Sequence, residues 1–233
     1  MTPTTNAVSR AQMDAVYAEI ERTAQLDRAA MRESAALAVA TETRTVLHEH
    51  GGLATVAVLA GAGGNGADAI AAARRLANWG IQTTVLLAAE RQHLSRETGE
   101  QLERAEAFGV RVFDPGAFMP PASVIIDGLI GTGLEGAPTG TSGLLIDAAS
   151  RLRTPLIAID LPSGLHPDTG KADQPAIRAN VTITLGYPKL GLIKPFAKNL
   201  VGTLKIADLS IPASIWQRLG LKAPLLTNLT TTA

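Results

Sequence analysis

The chain has 233 residues, no cysteine and 21 acidic against 21 basic side chains. The balance leaves no global field to favour nucleic acid or an anionic membrane, and the lack of thiols excludes disulfides, zinc–thiolate sites, iron–sulfur clusters and cysteine nucleophiles. With 46% hydrophobic residues it can bury a substantial core, and its apolar runs break well before the roughly 18 residues that a membrane span needs.

Residues 1–8 and 227–233 are polar and expected to fray, so 1–233 is read as a single domain with loose ends. The opening MTPTTNAVSR carries no apolar leader, and the expected location is cytoplasmic. Ser9 is placed to cap a first helix with Met13, Val16, Tyr17 and Ile20 as its apolar stripe. A second helical pattern runs from about Asp27 to His50, with Met31, Ala35, Leu37, Ala38, Val46 and Leu47 apolar and Gly51-Gly52 as its stop. From Ala54 onward strands alternate with helices, the sign of a parallel sheet covered on both faces. Strands are predicted over Thr55–Ala60, Gln82–Leu87, Val110–Phe113, Ser123–Asp127, Leu156–Asp160, Val181–Leu185 and Thr203–Ala207. Helices are predicted over Gly66–Trp79, Ser95–Phe108 and Ser142–Leu152. Helix is scarce in the last third, which predicts an antiparallel strand at the edge of a mostly parallel sheet.

Three predicted strands run into polar or glycine-rich loops. The first is Gly61–Asp68, where Gly61, Gly63 and Gly66 satisfy G-x-G-x-x-G and a helix start follows, a setting that suits a pyrophosphate. Turn and packing roles explain those glycines equally well. Asn65 and Asp68 are unusual within that fingerprint, although Asn tolerates left-handed turns and Asp suits a first helical turn. The second loop follows Asp127 with Gly131-Thr132-Gly133, and the third follows Asp160 with Ser163-Gly164. Either aspartate could cap the element after its strand. In open parallel sheets ligands sit at the carboxyl ends of the strands, so one site built from three loops is the economical reading. Asn65, Asp127 and Ser163 would offer one oxygen from each loop to a hard cation. No G-x-S-x-G is present to make Ser163 a nucleophile, and the four histidines are scattered.

The ordered set GAGGNGADAIAAARRLANWG, VIIDGLIGTGLEGAPTG, IAIDLPSGLHPDTG and VTITLGYPKLGL resembles the NAD(P)H-hydrate epimerases, the YjeF N-terminal domain family, over roughly Ser9 to Pro212. The resemblance implies a Rossmann-like α/β/α three-layer sandwich with N-terminal helices, a homodimer and a bound potassium ion. It also implies epimerisation at C6 of hydrated NADH or NADPH. Asn65, Asp127 and Ser163 fall on its potassium-ligand positions. Gly64, Asn65, Gly66, Ala67, Asp68, the loop Gly131, Thr132, Gly133 and Leu134, and Asp160 fall on its substrate-contacting positions. Asp160 is assigned as general acid/base and Lys189 as its electrostatic partner. The first loop departs from the family's G-x-G-N-N-G-G-D-G at Gly64, Ala67 and Ala69, which keeps a non-catalytic ligand-binding or scaffolding domain as the alternative. An ordinary nicotinamide oxidoreductase is disfavoured, since no acidic residue follows the second strand before Glu90. The sequence shows no dehydratase domain after the last strand, so a dehydratase partner is expected as a separate protein.

Overall fold

Seven strands form one sheet in the computed structural model, which describes residues 7–23, 26–51 and 54–224. They are β1 (Thr55–Ala60), β2 (Gln82–Leu87), β3 (Arg111–Phe113), β4 (Val124–Gly128), β5 (Leu156–Ile159), β6 (Val181–Leu185) and β7 (Thr203–Ala207). Around them lie α1 (Arg10–Thr23), α2 (Arg28–His50), α3 (Gly64–Asn78), α4 (Arg96–Ala107), α5 (Gly140–Ser150), α6 (Lys198–Val201) and α7 (Ala213–Arg218). The order is β3-β2-β1-β4-β5-β6-β7.

Every neighbouring pair is parallel, including β6 with β7 from Val181↔Thr203 to Leu185↔Ala207. The predicted antiparallel edge is therefore corrected. A parallel pair needs a crossover, and here two short 3₁₀ turns and the one-turn α6 supply it. Such pieces are too short to leave a helical period in the sequence.

The strands read as near-continuous apolar runs because both sheet faces are covered. Val56, Val58 and Ala60 of β1 point into the core shared with α1, α2, α3, α4 and α7, whereas Ala57 and Leu59 point into the core under α5. α2 precedes the sheet in sequence but packs beside α3 on it. Arg74 and Arg75 of α3 both pair with Glu33, and Lys205 of β7 meets Glu42 at 2.7 Å. Its buried stripe is Met31, Ala35, Ala36, Val39, Ala40, Thr43 and Val46, and Leu37, predicted apolar, is 46% exposed. The helix is capped at Asp27, which accepts from the Ala29 N–H at 3.1 Å, and it stops at Gly51, whose φ of 65° is left-handed.

The ends of the fold also matter for the site. Val8 is buried, 1% exposed, and its N–H donates to the Pro188 carbonyl while its carbonyl accepts from Leu190 N–H, both at 2.9 Å. Ser9 and Gln12 then form a reciprocal capping box for α1. The polar tail read at 227–233 lies outside the described residues, as do residues 1–6 and Gly52. No helix among the described residues is long and apolar enough to cross a membrane.

Candidate active site

From β1 the chain proceeds outward to β2 on one side, and from β4 to β5 on the other, so a crevice opens where these two neighbours end. A cavity of about 640 Å³ fills it, lined by the Gly63–Asn65 loop, by Leu129–Gly133, by Asp160 and Lys189, and by α1 and α2. The three loops singled out by sequence thus meet in one chamber, and two N-terminal helices close it.

The glycine loop divides into packing and open positions. A Cβ on Gly61 would lie 1.9 Å from the Leu129 carbonyl oxygen, and one on Gly66 would lie 1.9 Å from the Gly61 carbonyl oxygen. Those two glycines let β1, α3 and the loop after β4 approach closely. Gly63 and Gly64 instead have nothing within 4 Å of such a Cβ. α3 begins at Gly64, two residues earlier than predicted, and no side chain caps it. Its first-turn N–H groups therefore face the chamber as orphan donors at the positive end of a 15-residue helix. The Thr98 hydroxyl, buried under α4, reaches the Ala62 and Gly63 carbonyls at 2.9 and 3.0 Å and fixes the loop from behind.

Asp127 is fully buried at the end of β4. It accepts from the Ser163 hydroxyl at 2.6 Å, from the Ser163 N–H at 2.8 Å and from the Leu129 N–H at 3.2 Å. Burial pushes its carboxyl up to about 6, against the pull of those hydrogen bonds. The Ser163 hydroxyl also accepts from Ile130 N–H at 2.9 Å, which ties the second and third loops together. Beside them, both polar atoms of the Asn65 amide are buried without a hydrogen-bond partner among the described residues. A Cβ on Gly131 would come within 3.3 Å of that amide carbon. A buried amide is rarely left unpaired, so a ligand with oxygen affinity fits this corner. Among the described residues no group of three or more His, Cys, Asp and Glu side chains assembles a metal site. The donors at hand are an amide, a carboxylate and a hydroxyl, a set suited to a hard cation rather than a transition metal.

Asp160 follows β5 directly and takes a φ of 65°, a left-handed conformation costly for a non-glycine residue. Its carboxylate accepts from the Leu185 N–H at 3.1 Å and from Lys189, whose ammonium is fully buried and donates also to the Leu185 carbonyl at 2.9 Å. The strained turn aims the carboxylate off the strand end and into the chamber.

The helical wall carries residues that the sequence did not single out as functional. Arg32 bridges Asp68 at 3.0 Å and Glu97 at 2.8 Å, joining α2, α3 and α4 at the rim. Burial pushes the Asp68 carboxyl up to about 7, with Arg32 opposing the rise. Tyr17, predicted as part of the α1 stripe, is only partly buried and lines the chamber beside Met13, whereas Val16 and Ile20 enter the core. Nothing in the sequence marks these side chains except their one-turn spacings, Met13 to Tyr17 and Arg28 to Arg32. Gly66, Ala67 and Leu134 are buried behind the chamber surface, while Gly64, Asn65, Asp68, Gly131, Thr132 and Gly133 lie on it.

An all-parallel sheet with a glycine-rich helix start, acidic strand ends and a chamber at the switch between β1 and β4 defines a Rossmann-like α/β class. Within it, the chain belongs to the family of the YjeF-related protein N-terminus, whose model matches residues 28–191. A protein of Dehalogenimonas lykanthroporepellens named NAD(P)H-hydrate epimerase is 39% identical over 193 residues, covering 82% of this chain and 77% of its own. One of the same name from Limosilactobacillus reuteri is 35% identical over 76% of this chain and 83% of its own. The bifunctional NAD(P)H-hydrate repair enzyme Nnr of Moorella thermoacetica is 31% identical over 69% of this chain, but only 32% of its own. The crystal structure of yeast YNL200c superposes with a TM-score of 0.77 over 94% of this chain and 95% of that one, at 20% identity, and so shows the shared fold.

Proposed function

We propose that this protein is an NAD(P)H-hydrate epimerase, interconverting the R and S forms at C6 of hydrated NADH or NADPH. The observation that carries the reading is the Asp160 carboxylate, locked by Lys189 and Leu185 and aimed into a chamber that also takes in the bare N-terminus of α3. Support comes from the relatives of that name, which share most of their length with this chain.

The chemistry follows from the substrate. C6 of the hydrated nicotinamide bears a hydroxyl next to the ring nitrogen, so its configuration inverts either by ring opening or by loss and return of water. Both routes move a proton at that oxygen. Asp160 is the group placed to accept and return it. Lys189 holds that carboxylate in one orientation and balances its charge in a water-poor corner. The N–H groups at the start of α3 suit the pyrophosphate, and the Gly131–Gly133 loop borders the same space.

Asn65, Asp127 and Ser163 would hold a potassium ion. When bound, such an ion would supply fixed positive charge that pins the three loops and offsets the buried Asp127 carboxylate. A homodimer rests on the family resemblance, and a dehydratase acting on the same hydrates is proposed as functional partner, supported by the bifunctional Moorella relative.

The alternative of a non-catalytic binding domain draws on Gly64, Ala67 and Ala69. Two of these do not touch the chamber: Ala67 and Ala69 are fully buried, and Ala69 packs against Gly128 of β4. The active-enzyme reading is therefore preferred. Incubating the purified protein with the R hydrate tests it, since appearance of the S hydrate supports the epimerase and binding without turnover supports the alternative.

A further inference from the structure

We propose that Tyr17 is a substrate-contacting residue of this site, its phenol donating a hydrogen bond from the helical wall to the oxygen at C6 while Asp160 handles that oxygen's proton from the sheet. This assignment rests on the epimerase reading.

The placement of Tyr17 is built from the chain upward. Met13 and Tyr17 are one helical turn apart, so both fall on the edge of the buried stripe of α1 and border the chamber. α1 is tied to the catalytic corner, because Val8 pairs with Pro188 and Leu190 on either side of Lys189. The Arg10 N–H adds a 2.7 Å bond to the Asp168 carboxylate. The helix bearing Tyr17 therefore starts within two residues of the segment that flanks Lys189. The ring is held in turn by Arg28, whose guanidinium lies 5.5 Å from its centroid and is itself fixed by Glu21 at 2.6 Å.

The hydroxyl is free to serve a ligand. Tyr17 is half-buried on the cavity wall, and no hydrogen bond to another described residue ties its O–H, so it can donate to what fills the chamber. Burial first, then the negative charges of Asp160 and Asp68, hold the phenol protonated well above its ordinary range. It is therefore a donor and not a base. Both routes of inversion present it with an acceptor at C6. In ring opening, the hydroxyl proton passes to Asp160 and the C6–N bond breaks with its electron pair going to nitrogen. Asp160 then protonates that nitrogen, and the oxygen left on C6 is a carbonyl. In water loss, a proton passes from the Lys189 ammonium through Asp160 to the hydroxyl, the C6–O bond breaks as the nitrogen lone pair forms the C=N bond, and the departing oxygen is water. Tyr17 keeps its own proton in either case and steadies that oxygen between departure and return.

The test is Tyr17→Phe, which removes one oxygen and leaves the ring beneath Arg28. The kcat for epimer interconversion is expected to fall at least about tenfold, with KM changed by less than about threefold. The melting midpoint should stay where it is, and the loss should be the same factor at every point between about pH 6 and 9. A kcat within about twofold of wild type overturns the proposal, and so does a loss confined to one limb of the pH profile, which would make Tyr17 a titrating base. A variant that fails to fold would show the hydroxyl to be structural, also against it. A wild-type protein that binds the hydrates but does not interconvert them defeats the epimerase reading itself, and this role falls with it.

Discussion

Lys189 and Asp160 form an ion pair whose side chains are 1% and 11% exposed, at the point where β5 ends in a left-handed turn. Neither charge is tolerable there alone. Breaking a buried pair from one side leaves an uncompensated charge, at a cost of about 3–5 kcal/mol. Lys189→Ala should therefore lower the unfolding free energy by about that amount in urea titration. The double variant with Asp160→Asn should recover a good part of the loss, and equal destabilisation by single and double variants would contradict the coupling.

Asp68 is expected to make stability depend on pH. Its carboxyl is raised from 3.8 to about 7, by burial first, so the native state holds a proton that the unfolded chain has released. The stabilising contribution is complete below the unfolded value and is lost as pH rises through the folded one. In Asp68→Asn that loss disappears, so between about pH 4 and 7 the variant should gain on wild type by up to about 1.4 kcal/mol per pH unit. Parallel stability profiles for the two proteins would remove Asp68 from this role.

The glycine loop predicts opposite fates for neighbouring substitutions. Gly66→Ala puts a methyl 1.9 Å from the Gly61 carbonyl oxygen and should destabilise by several kcal/mol, on the order of the largest core defects. Gly64→Asn enters open space at the start of α3 and should leave the melting midpoint within a few degrees. It restores the family's amide on the chamber surface, so its effect should appear in KM. Similar melting curves for the two variants would contradict the division of labour.

Potassium should act on stability independently of turnover. An ion that binds only the native state stabilises by RT ln(1 + [L]/Kd). The melting midpoint of wild type is expected to rise in potassium chloride relative to lithium chloride at equal ionic strength, and Asn65→Ala is expected to abolish the difference. Identical midpoints in the two salts would argue against an ion held by Asn65, Asp127 and Ser163.

How much of this was legible in the sequence depended on whether a side chain announces itself locally. The strands and long helices showed because apolar runs and glycine stops are local signals, and Asp127 and Asp160 showed because a carboxylate closing an apolar run is conspicuous. The β6–β7 crossover did not, since 3₁₀ turns and a single helical turn leave no period to read. Arg32 and Tyr17 were invisible for another reason. Arg32 takes its place from partners on two later helices, Asp68 and Glu97, and Tyr17 from an α1 that is tied far along the chain, as Val8 against Lys189 illustrates. Tyr17 fits an apolar stripe well enough that periodicity places it in the core. Only the packed structure separates it from Val16.

Asp160 is the residue proposed to move the proton in an epimerisation at C6. The rate at which purified wild type and Asp160→Asn interconvert separated R and S hydrates tests that role. Wild type is expected to turn the hydrates over and the variant to be slower by about 10²- to 10⁴-fold. A variant rate near that of wild type would contradict the role of Asp160.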